Sequence, residues 1–598
     1  MIRTDIFGLS ESVLIDLTNR GTLRRAHKLL ETTTVEISTS DNGNVHVVLG
    51  DNHCELLANK AFPDWTCTCV KATSCHHIVA AVLGYQQACN EHDVVEVEEQ
   101  PTPSASVPMA GPAVGTVFLR DDVPIVRIAF PEPVTVRFLQ GSNFAYARCT
   151  CAEIDPCSHV PIALALLDAP DSPVRTIGTD DWCPYQSVLT AVSTQIDTMC
   201  AVGIESSHMS LVNSWRRVRE RCDSAGMPNA VELIDTIVDL QERRESRDCS
   251  FDPDRLLSLV GELAARLASL QLAEPNVPHR LVAGVNAEPV KLSRCRLIGL
   301  GTEVLALPGG CEVVAHLVDA RSGSPMTVRK VVEGEPANPV KAVVSNVPLH
   351  NWGGGQVLIN GGRRDTRGQL NVTRYKCQAF PAPALTELFS PWAVDSFAAL
   401  ATDGVPAALG PRTAGSGICA VRNVQLVAWG HDVRTRGIVG TLVDGAGHDA
   451  SFRFAPHIGG LDANALADFC AQHEHQQISI SGRWRTQQGR MVVDPFLLIG
   501  ELGSVQPHVG ETAEITESVG IAAAQVSESA ATRVHKILSE TLGHVLVAGT
   551  ERLQRDPDFF PSRARQLRNL GSSWLAGLVD AHSPEAIRRL LLAAALAE

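Results

Sequence analysis

The spacing of hydrophobic and polar residues changes several times along the chain, and each change predicts a different kind of structure. Residues 185–272 carry apolar side chains at helical spacing, as in ELIDTIVDLQERR and DPDRLLSLVGELAARLASLQ, which predicts a helical region. Residues 531–598 are also predicted to be helical. Residues 288–500 are instead rich in Val, Gly and Thr with frequent turn signals, a pattern typical of antiparallel β domains.

An internal repeat divides the β-rich region into two related parts. Three segments recur in the same order, and their offset drifts as small differences in loop length would produce. The matched segments are 296–304 with 425–433, 312–330 with 437–455, and 356–372 with 477–493. We therefore predict β modules at 288–380 and 415–500, joined by a connector with a helix at 381–414.

The third repeated segment alternates apolar and polar residues on both sides of a Gly-containing loop, which predicts a β-hairpin. A small barrel with a basic hairpin resembles an OB-type fold, which often binds single-stranded nucleic acid. Trp484 is a candidate for stacking on a base, although only one copy has an aromatic residue there. The alternative is that the basic residues are simply solvated. These residues are Arg363, Arg364 and Arg367 in the first module and Arg483, Arg485 and Arg490 in the second.

Two cysteine-rich clusters lie in the N-terminal third of the chain, each between predicted strands and a predicted helix. The first, CTCVKATSCHH, covers residues 67–77, and the second, CTCAEIDPCSH, covers residues 149–159. Both follow the spacing C-x-C-x5-C-x-H, which is too specific to be coincidence. Three thiolates and one imidazole complete the tetrahedral shell that zinc prefers. The predicted ligands are Cys67, Cys69, Cys75 and His77 in the first cluster and Cys149, Cys151, Cys157 and His159 in the second.

The second cluster decides which histidine of the first cluster is a ligand. Taken alone, the first cluster leaves His76 and His77 equally suitable, but the second has Ser158 at the position of His76. Four protein ligands leave no coordination position for water, so both sites are predicted to be structural and not catalytic. The alternative is a redox role, although redox cysteines usually show C-x-x-C beside a βαβ unit.

The clusters and their flanking elements resemble the SWIM zinc-finger family, in which C-x-C and C-x-H pairs lie between strands and a helix. The resemblance implies two structural Zn²⁺ ions, one in each of two small ββα-type fingers. It also implies an interaction role, because members of this family are associated with binding DNA or other proteins.

The predicted fold class is therefore a multidomain α+β protein with the two fingers at its N-terminal end. An N-terminal extension and the first finger occupy residues 1–90, and the second finger occupies residues 116–170. A Pro-, Ser- and Ala-rich linker is predicted at 91–115 and an acidic linker at 509–530.

Composition and charge limit the classes of function. With 44% apolar and 20% charged residues the chain resembles a soluble globular protein, and its net charge of −15 requires any nucleic-acid surface to be local. No long apolar run or secretory pattern is present, so a cytoplasmic protein without a membrane span is expected. The cysteines outside the clusters are scattered and are predicted to be small buried hydrophobic residues. P-loop, H-E-x-x-H and G-x-S-x-G motifs are missing, so no enzyme activity is expected.

Two functions compete on this evidence. The overall plan resembles the large bacterial SWIM-finger proteins that accompany a MoxR-type ATPase and a von Willebrand A-domain protein. This resemblance implies an adaptor with protein partners. The alternative is a DNA- or RNA-binding protein that uses the fingers and the basic hairpins, and its affinity should fall steeply with salt.

Overall fold

The computed structural model describes residues 3–597 apart from loops and linkers, and it confirms the mixed α+β class. The internal segments outside the described part are 41, 59, 70–74, 91–111, 121–122, 141–145, 152–156, 173, 179–181, 206–207, 249–250, 273–276, 285–287, 293, 308, 335–337, 382–391, 402–408, 410–411, 413–416, 433–436, 456–462, 488–489 and 510–529. Both predicted linkers lie mostly in these segments, so they stay predictions. No helix in the described part is both long and apolar enough to cross a bilayer.

The first unit packs helices against a four-stranded antiparallel sheet with the order β1-β2-β3-β4. Its elements are α1 (Thr4–Phe7), α2 (Glu11–Leu17), α3 (Arg20–Thr32), β1 (Val35–Thr39), β2 (Val45–Leu49), β3 (Asn52–Leu56), β4 (Thr66–Cys67) and α4 (His76–Asn90). Alternate side chains of β2, namely Val45, Val47 and Leu49, are buried, as expected for a strand with one face on the core. This unit has a hydrophobic core of its own.

The second unit is a five-stranded antiparallel sheet with the order β8-β7-β6-β5-β9 and one helix. As in the first unit, its cysteine-rich cluster lies between a short strand and the start of a helix. Its elements are β5 (Ala113–Arg120), β6 (Val123–Phe130), β7 (Val134–Phe138), β8 (Ala147–Cys149), α5 (His159–Asp168) and β9 (Arg175–Ile177). The sheet extends beyond the predicted range 116–170 at both ends, because β5 begins at Ala113 and pairs with β9, which lies at Arg175–Ile177. The order ββα is present at the end of each unit, in β3-β4-α4 and β7-β8-α5, but within larger sheets than predicted.

Four long helices and a short one form the middle segment. They are α6 (Gln186–Val202), α7 (His208–Ser224), α8 (Pro228–Glu245), α9 (Pro253–Leu270) and α10 (His279–Ala283). The start of α9 follows from its sequence, because the side chain of Asp252 accepts a hydrogen bond from the backbone N–H of Asp254. Pro253 occupies the first turn, where no backbone donor is needed.

The first β module is an open antiparallel sheet with the order β13-β12-β11-β16-β19. Its elements are β10 (Val290–Leu292), β11 (Cys295–Leu307), β12 (Gly310–Asp319), β13 (Pro325–Glu333), β14 (Val343–Val344), β15 (Val347–Pro348), α11 (Leu349–Gly353), β16 (Gly355–Ile359), β17 (Gly362–Arg364), β18 (Leu370–Asn371) and β19 (Cys377–Pro381). The predicted hairpin at 356–372 is present as β17 and β18, which pair antiparallel across the loop that contains Gly368. The chain bends at Gly361, whose φ of 132° suits glycine, so the first arm is divided into β16 and β17, and β17 also pairs with β10.

The second β module closes into a five-stranded barrel. Its elements are β20 (Ala393–Val394), β21 (Ile418–Asp432), β22 (Gly437–Val443), β23 (Asp449–Phe454), α12 (Ala463–His473), β24 (Gln477–Gln487), β25 (Arg490–Gly500) and β26 (Gly503–Val505). The strands run in the order β21-β22-β23-β25-β24, and β24 pairs back with β21, as in an OB-type barrel. The first module has the same order, β11, β12, β13, β19 and β16, but β13 and β19 do not pair.

The C-terminal helices share one hydrophobic core with the middle helices, although the β modules separate them in the sequence. They are α13 (Ala530–Ala548), α14 (Thr550–Leu553), α15 (Phe559–Asn569), α16 (Ser573–Ala581) and α17 (Pro584–Ala597). The backbones at the C-terminal ends of α6 and α13 lie close together. A Cβ atom on Gly203 would lie only 2.4 Å from the backbone nitrogen of Gly549, so no larger residue fits there. Two backbone hydrogen bonds complete this close approach, from Ile204 to Leu546 and from Glu205 to Val547.

Ion pairs connect the units to one another. Asp16 on α2 pairs with Arg137 of the second unit at 2.6 Å and with Arg321 of the first β module at 3.6 Å. Arg412 pairs with Glu232 and Glu262 on the helical bundle. The N-terminal unit and the segment between the two β modules are therefore each joined to other units by contacts of long sequence separation.

The two β modules meet through polar contacts around Glu303. Its carboxylate accepts hydrogen bonds from His316 at 3.0 Å and from Arg483 of the second module at 2.8 Å. The hydroxyl of Ser481 donates to the backbone carbonyl of Leu300 at 2.7 Å. The repeated modules thus form one packed pair, and most of their apolar residues belong to a single core.

Candidate metal centres

The structure brings the eight predicted ligands together as two separate groups. Within each group, one ligand atom from every residue lies within 4.8 Å of all the others. The first group contains Cys67, Cys69, Cys75 and His77, and the second contains Cys149, Cys151, Cys157 and His159. In the described part of the chain no other histidine, cysteine or acidic residues form such a group.

The C-x-C segment has the same backbone geometry in both sites. The amide of Thr68 donates to the carbonyl of His53 at 3.0 Å, and the amide of His53 donates to the hydroxyl of Thr68 at 2.9 Å. Thr150 and Thr135 form the equivalent pair at 3.0 and 3.1 Å. The threonine hydroxyl therefore replaces the second backbone bond of the ladder, which lets the strand turn while its donors stay satisfied.

Backbone amides also bind the sulfur atoms within each C-x-C segment. The amide of Cys69 donates to the Sγ of Cys67, and that of Cys151 donates to the Sγ of Cys149, both at 3.5 Å. Such N–H···S contacts favour thiolate over thiol. The segment thus positions two sulfur atoms and directs a backbone donor at the first of them.

The third cysteine and the histidine of each site lie at the start of a helix. The carbonyl of Cys75 accepts from Val79 and that of Cys157 accepts from Val160, each at 3.3 Å, so both cysteines begin the first helical turn. The N-terminus of a helix carries partial positive charge, which stabilises a thiolate placed there. His77 and His159 follow two residues later and face the same group of sulfur atoms.

The histidines of both sites leave one buried nitrogen available for a ligand. The Nδ1 atoms of His77 and His159 are buried and have no hydrogen-bond partner among the described residues. A buried nitrogen without a partner costs free energy, so a site that keeps one usually gives it another role. Coordination of a metal ion by Nδ1 would satisfy both atoms, and the donor set of three sulfurs and one nitrogen fits Zn²⁺.

The second site is built into the core that the second unit shares with the β modules. Cys151, Cys157 and His159 are 6%, 4% and 4% exposed, and Cys151 forms a backbone bridge with Leu292 on β10. The Nε2 of His159 lies 3.0 Å from the carboxylate of Glu132. A carboxylate at this position fixes the ring and leaves Nδ1 free for a metal.

A buried arginine accompanies the second site. Arg364 is 5% exposed, donates to the backbone carbonyl of Pro133, and is close enough to Cys149 for their charges to interact. Three thiolates and one divalent cation carry a net negative charge. The guanidinium of Arg364 therefore offsets charge that would otherwise be buried.

The first site belongs to the smaller core of the first unit. Cys67, Cys69 and His77 are half-buried and Cys75 is buried. The ring of His77 packs against that of His76, with the centroids 4.1 Å apart. A further thiol, that of Cys54, lies next to this group and has no cysteine counterpart in the second site.

Proton affinities differ between the two sites. Burial raises the pKa of Cys75 to about 12 and lowers the pKa of His77. Burial also lowers the pKa of His159, but electrostatic interactions with the nearby sulfur atoms of Cys151 and Cys157 and with Glu132 outweigh it and raise this pKa to about 10. A metal ion bound at either site must displace protons from the thiols, so its affinity should fall with falling pH.

The basic residues considered for nucleic-acid binding are mostly engaged within the protein. Trp484 is 8% exposed and donates to the carbonyl of Cys419, so it is not available to stack on a base. Arg364 is buried, Arg367 pairs with Glu232, Arg483 pairs with Glu303, and Arg485 pairs with Asp494. Arg363 is exposed and Arg490 is half-buried. The predicted stacking role of Trp484 is therefore wrong.

Several residues at the sites were not found by sequence reasoning. Thr68 and Thr150 occupy the same position in both copies, and this repetition was a usable signal. Glu132 and Arg364 carry no comparable signal, because they reach the second site from 27 and 231 residues away along the chain, measured to His159 and Pro133.

Comparison with known proteins gives two partial matches. Residues 186–284, which contain α6 to α10, match the family described as the YehQ four-helical bundle domain. Protein YehQ of Escherichia coli strain K12 is 28% identical over 181 residues, which cover 27% of this chain and 29% of that protein. The chain thus matches less than a third of this curated relative, and the family match lies outside both metal centres.

Proposed function

We propose that the protein is a non-enzymatic adaptor in which two structural Zn²⁺ ions hold two SWIM-type fingers in shape. One observation carries the metal part of this proposal. Two groups of three cysteines and one histidine have their ligand atoms within 4.8 Å, and each contains a buried Nδ1 atom that lacks a partner. Each ion would have four protein ligands, which leaves no position for a reacting water.

The ligands hold the metal and the surrounding residues orient them. Cys67, Cys69, Cys75 and His77 would bind one ion, and Cys149, Cys151, Cys157 and His159 the other. When bound, zinc supplies cross-links between a strand turn and a helix start that a unit of this size cannot easily replace with hydrophobic packing. The Thr hydroxyls keep the turn in place, and Glu132 fixes the ring of His159.

Metal analysis of the full-length protein tests this part of the proposal. Two zinc ions per chain are expected in the unmodified protein. His77→Ala and His159→Ala should each remove one, whereas the neighbouring controls His76→Ala and Ser158→Ala should keep both. Absence of zinc from the unmodified protein, or equal loss in His76→Ala and His77→Ala, would contradict the assignment.

We propose further that its partners are proteins, specifically a MoxR-type ATPase and a von Willebrand A-domain protein. Support comes from the resemblance to SWIM-finger proteins of such systems and from the engagement of three of the six candidate arginines in internal ion pairs. The helical bundle, the fingers and the paired β modules supply extended surfaces for such contacts.

Affinity purification of the native protein tests the choice of partner. Recovery of a MoxR-type ATPase without nucleic acid is the expected result. Recovery of DNA or RNA that is released steeply with increasing salt, and no ATPase, would favour the alternative function. The His77→Ala and His159→Ala proteins, compared with His76→Ala, show whether either finger is required for the partner.

A further inference from the structure

A fifth thiol lies directly opposite a ligand of the first site. Cys54 on β3 and Cys67 on β4 face each other in the antiparallel register, and their thiols are within hydrogen-bonding reach. Because the amide of Thr68 bonds to the carbonyl of His53, the Cys54–Cys67 pair is one without backbone hydrogen bonds between its two members. In such pairs the Cα atoms are about 4.5 Å apart, within the range that a disulfide spans.

The second site provides a built-in comparison at this position. There Val136 on β7 faces Cys149 on β8, in the same register and beside the same threonine-supported turn. Val136 and Cys54 are both buried, at 0% and 2% exposure. Because valine occupies this position in the second site, neither the turn nor the four ligands need a thiol here, and a buried side chain at this point of the sheet can be purely apolar.

The two sites also differ in how far their ligands are exposed to solvent. Cys67 and Cys69 of the first site are half-buried, so a small oxidant dissolved in water can reach their sulfur atoms. In the second site Cys149, the counterpart of Cys67, is also half-buried, but Cys151 and His159, the counterparts of Cys69 and His77, are buried. The fifth thiol thus accompanies the more accessible of the two sites.

We propose that the first site is a peroxide-responsive modification site, in which Cys54 and Cys67 form a disulfide and the zinc ion is released. This inference rests on the proposed presence of zinc at the first site. It also assigns Cys54 a role other than the small buried hydrophobic residue that its scattered position in the sequence predicts.

The reaction consumes one hydrogen peroxide for each disulfide. The Cys67 thiolate attacks peroxide, the O–O bond breaks, and sulfenic acid and hydroxide form. The Cys54 sulfur then attacks the sulfenic sulfur, and the S–O bond breaks as the S–S bond forms. The Cys54 proton leaves with the sulfenic hydroxyl as water. Two cysteine sulfurs are oxidised, one peroxide is reduced, and the site loses one of its thiolate ligands.

Peroxide treatment of the full-length, zinc-loaded protein tests this inference. Zinc release is followed with a chromogenic chelator, and disulfides are mapped by mass spectrometry of non-reduced peptides. The expected result is a Cys54–Cys67 link together with release of one of the two zinc ions, both reversed by a thiol reductant and added zinc. A link of Cys67 to Cys69 or Cys75, or zinc release with Cys54 still reduced, would overturn it.

The structure supplies a matched pair of variants. Cys54→Val copies the second site and should abolish the disulfide and slow zinc release several-fold. Val136→Cys copies the first site, and its new thiol should form a disulfide with Cys149 in peroxide. Zinc content before oxidation separates the two proposals, because a protein without zinc refutes the metal assignment, whereas a zinc-loaded protein lacking the Cys54–Cys67 link refutes only this inference.

Discussion

The two candidate metal centres have the same predicted ligands and the same supporting turn, yet they are placed in different surroundings. The first belongs to a core confined largely to the N-terminal unit, with half-buried sulfur atoms and the extra thiol of Cys54. The second lies in the core of the β modules, with Glu132 on its histidine and Arg364 near its thiols. The comparison teaches that the motif determines which atoms bind, whereas residues far away in the sequence determine how firmly the site is held.

The largest expected difference between the sites lies in which region loses stability when the third cysteine, Cys75 or Cys157, is removed. Structural zinc contributes on the order of 10 kcal/mol to folding, so both losses matter. Cys157→Ser should reduce hydrogen-exchange protection in the second unit and in the β modules that share its core. Cys75→Ser should reduce protection mainly in residues 3–90. Loss of protection over the same regions in both variants would show that the surroundings do not distinguish the sites.

Replacement of the buried arginine should weaken only the second site. Arg364→Met leaves the carbonyl of Pro133 without its donor, which should lower the free energy of unfolding by about 1–3 kcal/mol. It should also lower the zinc affinity of the second site, because the charge that offsets the thiolates is gone. Arg363→Met, next to it but exposed, should change stability by less than about 0.5 kcal/mol. Denaturant unfolding and competition with a chelator measure the two effects.

Acidification should weaken the paired β modules that surround the second site. Burial raises the pKa of Glu303, but Arg483 and His316 outweigh it and hold this pKa well below its usual range. Burial lowers the pKa of His316 despite its bond to Glu303. Both groups therefore bind protons more readily in the unfolded chain, so stability should fall as pH drops below about 6.5 for His316 and about 4.3 for Glu303.

Unfolding free energy measured between pH 7 and pH 2 checks this dependence, because the contribution of Glu303 is lost only below about pH 4.3. Glu303→Gln should flatten the lower part of the profile, because the variant has no carboxylate to protonate there. An unchanged profile in Glu303→Gln would assign the pH dependence to other groups.

The smallest expected loss of stability comes from removing the threonine hydroxyl of each turn, and it should be the same in both sites. Thr68→Val and Thr150→Val each remove a hydroxyl that accepts a backbone hydrogen bond, at a cost of about 1 kcal/mol. The exposed Thr66 on β4 serves as the control, and its change to valine should have little effect. Unequal costs at Thr68 and Thr150 would show that the two turns differ more than their hydrogen bonds indicate.

Local spacing predicts which cysteines and histidines come together, because the geometry of each group is set within eleven residues. The choice of His77 over His76 also follows from the sequence, since the second copy has Ser158 at that position. The repeat predicts the related strand order of the two β modules for the same reason, because corresponding strands keep their order in the chain.

Contacts between distant segments explain what the sequence does not predict. Trp484 lies on a strand with alternating residues, but its burial depends on the packing of other strands around it. The hairpin predicted for the first module forms between β17 and β18, but the sequence does not reveal that β17 also pairs with β10, some seventy residues earlier in the chain. Helical periodicity likewise does not reveal that the middle and C-terminal helices share a core.

Stepwise zinc removal, followed by native mass spectrometry, tests the central claim most directly. The full-length protein should carry two zinc ions and lose them in two phases when a chelator is added, with a persistent one-zinc species. Cys75→Ser should start with one zinc and lose it at the slower rate. A chain without zinc, or two ions lost at a single rate, would contradict the account of two alike centres held in unlike surroundings.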